Sequence, residues 1–274
     1  MYFWKCWRDT RRAFSIYLIL AVGGTLLWFM GMSHELLRGS VRAAPEEALW
    51  FLVVSGGLAF GLPFAAVMGL GLGSRSVGTE VGGEGGDFLM TRPRSRKYFV
   101  WVGWTVGLAE IAILLAVTAL VALAALYYEG GAIWRHMPVA THFGPVTQSP
   151  TGGQAVNISL LLTVVDIPLL LASVAVIAIV VHGLTYFLSV LTRSGRRAVT
   201  YSLVLILAFW TCANLLDRWG HFSLPNIATI SLYRTHLQGP PIWYLAPELQ
   251  LIGWLVLAVA FPVAAQRVLE RSDI

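Results

Sequence analysis

Residues 98–126 are YFVWVGWTVGLAEIAILLAVTALVALAAL, an apolar run that contains one charged side chain, Glu110. About 20 consecutive apolar residues in a helix are enough to cross the hydrocarbon core of a bilayer. This run exceeds that length, and it therefore predicts a transmembrane helix.

Five further apolar segments predict the same structure, so the expected fold is an all-α, polytopic membrane protein with six transmembrane helices. The predicted spans cover residues 13–32, 48–73, 98–126, 158–191, 199–216 and 248–266. Charged residues make up only 12% of the chain. An ordinary soluble domain carries about 25%, so a water-soluble globule is excluded.

The segments before and after the predicted spans are short. Residues 1–12 alternate aromatic and basic side chains, which predicts an amphipathic interfacial helix at the inner membrane surface. Residues 267–274 form a predicted cytoplasmic tail. The first apolar run is long enough to span, so we expect a retained helix and no cleavable signal peptide.

The distribution of Lys and Arg predicts the orientation. Fourteen of the nineteen fall on one side of the predicted spans, and such residues resist translocation. We therefore expect a plasma (bacterial inner) membrane protein with both termini in the cytoplasm. The basic clusters meet lipid headgroups, so no nucleic acid partner is expected. The fourteen are Lys5, Arg8, Arg11, Arg12, Arg75, Arg92, Arg94, Arg96, Lys97, Arg193, Arg196, Arg197, Arg267 and Arg271.

The loop between the second and third predicted spans combines an acidic turn, apolar residues and a basic cluster. Residues 84–96 are EGGDFLMTRPRSR. Residues 88–90 are suited to a groove on a partner, while the following arginines contact headgroups or acidic side chains. The alternative is an ordinary loop whose basic residues only orient the chain.

Residues 87–96 resemble the cytoplasmic loop of type 2 ATP-binding-cassette permeases, in which an acidic, glycine-containing segment leads into Leu-Leu-Ser/Thr-x-Pro-x-Ser-Arg. That family has six spans, an amphipathic amino-terminal helix, a loop that couples to an ATPase subunit, and a re-entrant outer hairpin before the last span. The resemblance implies that residues 217–247 form this hairpin. The alternative is an aromatic belt that anchors an outer loop.

By the same resemblance, nine residues couple the chain to an ATPase subunit, and a second permease copy or a homologue completes the transporter. They are Glu84, Asp87, Phe88, Leu89, Met90, Arg92, Pro93, Ser95 and Arg96. Gly85, Gly86 and Arg94 depart from the family pattern. The chain has no G-x-x-x-x-G-K-[ST] phosphate loop. We therefore expect a chain that is not itself an enzyme, with ATP and magnesium on the partner subunit.

Three acidic or histidine side chains lie well inside the predicted spans: Glu110, Asp166 and His182. A charged side chain at the bilayer centre costs about 2.5 to 3.5 kcal/mol, so each of them needs a compensating environment. One hypothesis is a hydrated pathway for substrate or for a coupling charge. The alternative is a structural carboxyl that is protonated or hydrogen-bonded.

No metal site and no disulfide are expected. Cys6 and Cys212 are far apart in the sequence. Five of the six histidines fall in predicted outer segments, but their spacing is irregular. They are His34, His136, His142, His221 and His236.

Two functions from different classes remain open at this point. The first is the permease subunit of an ATP-binding-cassette exporter, which the inner loop favours. The second is a noncatalytic membrane anchor or scaffold of a larger complex, which the scarcity of polar groups in the spans favours. An intramembrane enzyme ranks last, because Glu110, Asp166 and His182 do not form a recognised catalytic pattern.

Overall fold

The computed structural model describes residues 2–37, 61–75, 77–81, 95–136, 160–220 and 247–271. This part of the chain forms seven helices, and the all-α prediction is confirmed for it. The helices are α1 (Tyr2–Leu37), α2 (Leu62–Gly73), α3 (Val77–Val81), α4 (Arg96–His136), α5 (Leu160–Thr192), α6 (Gly195–Gly220) and α7 (Pro247–Arg271).

Four of these helices are long and apolar enough to cross a membrane, which fits a multi-pass membrane protein. The four stretches are Tyr2–Gly31 in α1, Arg96–Ala125 in α4, Leu171–Thr192 in α5 and Leu251–Arg271 in α7. The short apolar helix α2 covers the described part of the predicted second span, and α6 covers the predicted fifth span. Six crossings are thus not established by the described residues.

The amino-terminal segment differs from the expected arrangement. The predicted interfacial helix 1–12 and the predicted first span form one uninterrupted helix, α1. No glycine or proline occurs between Tyr2 and Val22, so nothing in the sequence breaks the helix there. Of the predicted hairpin 217–247, residues 221–246 lie outside the described part, as do residues 48–60 of the predicted second span.

Helix α5 is the central helix. In its apolar stretch 67% of the residues are buried, compared with 17% to 28% in the other three, so the rest of the bundle is arranged around it. Helices α2, α4, α6 and α7 all pack against it. This explains why its sequence is apolar almost throughout rather than on one face.

Three glycines let neighbouring helices approach α5 closely. A β-carbon at Gly69 of α2 would lie 2.8 Å from the Ala178 carbonyl oxygen, and one at Gly73 would lie 2.6 Å from the His182 carbonyl oxygen. On α4, a β-carbon at Gly103 would lie 2.8 Å from the Tyr186 hydroxyl. These small residues allow the backbones to come together without a side chain between them.

One end of the bundle, here called the basal end, contains the beginning of α1, the end of α2 with α3, and the start of α4. The turn between α5 and α6 and the last turn of α7 lie at the same end. The Tyr2 and Phe99 rings are 4.8 Å apart there, and Arg96 Nη1 donates to the Leu269 carbonyl oxygen at 2.9 Å. Gly195 lies against Ser74. Both terminal helices therefore have their free ends on the same side of the bundle.

Candidate functional site

The carboxyl group of Glu110 is enclosed between α4 and α1. Its side chain is fully buried, and Oε1 is hydrogen-bonded to the hydroxyl of Thr10 on α1. The other oxygen, Oε2, has no hydrogen-bond partner among the described residues. Glu110 therefore connects two helices through one of its two oxygens.

Thr10 was not identified from the sequence. It lies within the basic segment 1–12, where a single hydroxyl carries no recognisable pattern, and it is 100 positions away from Glu110. Its hydroxyl also lies 3.0 Å from the Cys6 carbonyl oxygen and 3.2 Å from the Trp7 carbonyl oxygen of its own helix. Thr10 is buried, so its contact with Glu110 belongs to the interior of the bundle.

His182 lies on α5 and is also buried, with 1% of its surface exposed. Its imidazole packs against Gly107, which is one turn before Glu110 on α4. Its ring interacts with the backbone of Trp104 on α4. Glu110 and His182 thus occupy neighbouring levels of the same interior, but among the described residues no hydrogen bond joins them.

Asp166, the third predicted pathway residue, does not belong to this group. The backbone of α5 runs continuously from Leu160 to Thr192 through Pro168, so 16 positions along one helix separate Asp166 from His182. At 1.5 Å per residue this is about 24 Å along the axis. The side chain of Asp166 lies outside the described residues.

A cavity of about 260 Å³ lies on the basal side of Glu110, between α1, α2, α3 and α4. Thr10 lines this cavity and also contacts the buried carboxyl of Glu110. The cavity cannot be predicted from the sequence, because three segments far apart in the chain form its walls. It is lined by Tyr2, Cys6, Asp9, Thr10, Leu72, Arg75, Val77, Thr79, Glu80, Gly103, Val106 and Gly107.

Polar contacts hold the basal rim of the cavity together. Lys5 Nζ lies 2.9 Å from Glu80 Oε2, and the Tyr2 hydroxyl donates to the same oxygen at 3.4 Å. These contacts connect α1 to α3. Arg75 Nη1 donates to the Asp9 carbonyl oxygen at 2.5 Å, which connects α1 to the end of α2.

Most of the predicted coupling residues lie outside the described part: Glu84, Asp87, Phe88, Leu89, Met90, Arg92 and Pro93. The residues on both sides of that segment are described. Before it, Glu80 pairs with Lys5, and Val77 is buried in the core. After it, exposed Ser95 accepts a hydrogen bond from the Tyr98 amide at 3.0 Å as α4 begins.

Arg96 has a contact that the resemblance did not imply. Its guanidinium donates to the Leu269 carbonyl oxygen, and Leu269 is within the last turn of α7. The carbonyls of a last turn lack partners within their helix, so Arg96 satisfies one of them. Arg96 therefore fastens the start of α4 to the end of α7.

No group of three or more His, Cys, Asp or Glu side chains suited to a metal ion occurs among the residues that the structure describes. The side chains of the five predicted outer histidines are not among those described. No protein-family model, curated protein or solved structure matches this chain.

Proposed function

We propose that this chain is the permease subunit of an ATP-binding-cassette exporter. ATP and magnesium bind a separate ATPase subunit, whose hydrolysis drives substrate across the plasma (bacterial inner) membrane through this chain and a second copy or homologue. The proposal rests on the resemblance of residues 87–96 to the coupling loop of type 2 permeases. The flanks of that segment support it, since both are fixed at the basal end beside the free ends of α1 and α7.

In this arrangement the chain crosses the bilayer six times, with both termini in the cytoplasm. Helices α2 and α6 belong to the second and fifth crossings, and residues 217–247 form the outer hairpin. The basal end then faces the cytoplasm, where the exposed side chains of Lys97, Arg193 and Arg196 meet anionic headgroups or the ATPase subunit.

The buried polar groups are the part of the bundle best suited to conduct substrate or charge. Glu110 and the cavity lie along one route from the basal end into the interior, and Thr10 belongs to both. A polar group within a membrane-spanning bundle is costly in free energy unless it has a partner, so one without a partner indicates a function. Glu110 Oε2 lacks such a partner among the described residues, which favours a transport role over a purely structural one.

Copurification tests the coupling role directly. The full chain, isolated from its native membrane in a mild detergent, should carry an ATPase subunit. Asp87→Ala and Pro93→Ala should reduce either the amount of bound ATPase subunit or its ATP hydrolysis. Arg197→Ala is the matched control, because Arg197 is an exposed basic residue in the first turn of α6 at the basal end but outside residues 84–96.

The outcome also distinguishes the second function class. Isolation of a stable complex that contains other membrane proteins but no ATPase subunit would contradict the permease proposal and favour a noncatalytic anchor or scaffold. Arg96 is unsuitable for this test, because its contact with Leu269 would be lost as well.

A further inference from the structure

The surroundings of Glu110 provide too few hydrogen-bond donors for an ionised carboxylate. The Thr10 hydroxyl can donate one hydrogen bond. Three acceptor oxygens lie within hydrogen-bonding distance of it: the Cys6 carbonyl oxygen, the Trp7 carbonyl oxygen and Glu110 Oε1. Carbonyl and carboxylate oxygens only accept, so an ionised Glu110 would compete with two carbonyls for a single hydrogen. Its second oxygen would have no donor among the described residues.

We propose that Glu110 is a proton-binding site. With the proton on Oε1, the carboxyl O–H donates to Thr10 Oγ1, and the Thr10 hydroxyl donates to the Cys6 carbonyl oxygen 3.0 Å away. Every hydrogen then has an acceptor, and a threonine bond to the carbonyl four residues earlier is common in helices. A neutral carboxyl also avoids the cost of an unpaired charge in an apolar interior.

Arg75 is the charged group whose field acts on Glu110, but its guanidinium donates to the Asp9 carbonyl oxygen, and no ion pair with Glu110 occurs in the described part of the chain. Glu80 pairs with Lys5, and Arg8 lies 3.9 Å from Asp9. His182 faces Gly107. The groups that the packed helices bring near this level are Cys6 and Asp9 of α1, Arg75 after α2, Glu80 of α3 and His182 of α5, while Arg267 and Glu270 of α7 are exposed at the basal end.

Loss of this proton has a structural consequence. A carboxylate at Glu110 requires water or a cation, and the cavity that Thr10 lines has room for water. Water that enters there separates α1 from α4, whereas proton binding closes the two helices on each other. The proton site goes beyond the proposed transport function, and it would exist whether or not an ATPase subunit binds this chain.

Infrared difference spectroscopy of the purified full chain in lipid, titrated with pH, tests the site without any transport assay. Wild type should show the carbonyl stretch of a protonated carboxyl that disappears as the pH rises, and Glu110→Gln should lack it. Glu80→Gln is the matched control and should keep it, since Glu80 is paired at the rim. An unchanged band in Glu110→Gln would overturn the proposal.

Variants of Thr10 provide a second measurement. Thr10→Val removes the hydroxyl at nearly constant shape, so the carbonyl band of the Glu110 carboxyl should move to the higher frequency of an acid without a hydrogen bond. Thr10→Ser keeps the hydroxyl and should leave the band in place. If both variants leave it in place, the proton is not shared with Thr10.

The opening step is measured at Cys6, which lines the cavity. In a Cys212→Ser background Cys6 is the single cysteine of the chain, and its alkylation rate reports access to the cavity. At each pH, the alkylation rate is divided by the rate of the same chain that also carries Glu110→Gln. The thiol of Cys6 ionises in both chains, so the ratio removes the effect of thiol ionisation. This ratio should rise with pH, and a constant ratio would contradict the opening of the α1 and α4 contact.

Discussion

Gly107 of α4 lies so close to His182 of α5 that the imidazole ring occupies the place where a β-carbon would be. A histidine buried in an apolar interior is thus accommodated by the absence of a side chain on the facing helix. The contact sits one turn from Glu110, so the distance between α4 and α5 also determines the surroundings of the carboxyl.

Gly107→Ala should destabilise the protein by about 1 to 3 kcal/mol, the usual cost of overpacking a core. The quantity to measure is the thermal unfolding of the purified full chain in detergent. Gly23→Ala on α1 is the control, because a β-carbon there meets no atom within 4 Å. It should be neutral or stabilising by up to about 1 kcal/mol, since alanine is the better helix former.

The double variant Gly107→Ala with His182→Ala examines the same contact from the other side. Removal of the imidazole makes room for the new methyl group, so the combined loss of stability should be smaller than the sum of the two single losses. Additive losses would mean that the two residues are not in contact.

Arg193 has a positive φ of 51°, between the end of α5 and the start of α6. Only glycine adopts this left-handed conformation without a steric penalty. Arg193→Gly should therefore stabilise the protein by up to about 1 kcal/mol. Arg196→Gly removes the same charge within the first turn of α6 and should not stabilise it, since glycine costs about 1 kcal/mol inside a helix. Equal effects of the two variants on the unfolding temperature would contradict this prediction.

Arg96→Ala should lower stability by about 1 to 2 kcal/mol, because the Leu269 carbonyl loses a charged hydrogen-bond donor. The neighbouring Lys97 is exposed, so Lys97→Ala should have little effect. Proteolysis of the α7 end provides an independent readout, since that helix should fray more readily without Arg96. An Arg96→Ala variant as stable as wild type would argue against the contact between α4 and α7.

Lys5 and Glu80 join α1 to α3, and reversal of one charge should be more harmful than reversal of both. Lys5→Glu places a negative charge beside Glu80, whereas Lys5→Glu with Glu80→Lys restores an opposite pair. The coupling between the two positions should be at most about 1 kcal/mol, because both side chains are partly exposed. It should weaken as salt is added, and insensitivity to salt would indicate that packing rather than charge holds α3.

The helical character of the chain could be predicted from the sequence, because the length of an apolar run is a local property. The described parts of all six predicted spans are helical. The number of membrane crossings is a different matter. The sequence predicts six spans, whereas four helices among the described residues are long and apolar enough to cross a membrane. The continuity of α1 through residue 12 also differs from the expected division into an interfacial helix and a span.

The candidate site was predictable only in part. Glu110 and His182 stand out in the sequence because polar residues within apolar runs are rare, and both are buried. Thr10 and the cavity could not be found in this way, because each depends on which helices are neighbours. Arg96 was assigned to a partner by resemblance, and its contact with Leu269 depends on α7, 173 positions further along the chain.

Hydrophobicity and helix length act over neighbouring residues, so the amino-acid order alone predicts that the chain is helical and apolar and which polar residues its interior has to accommodate. The packing of the helices sets the contact of Glu110 with Thr10, the contact of His182 with Gly107, and the central position of α5. These relationships depend on which backbones come close together, and this is governed by where small residues on separate helices coincide in space.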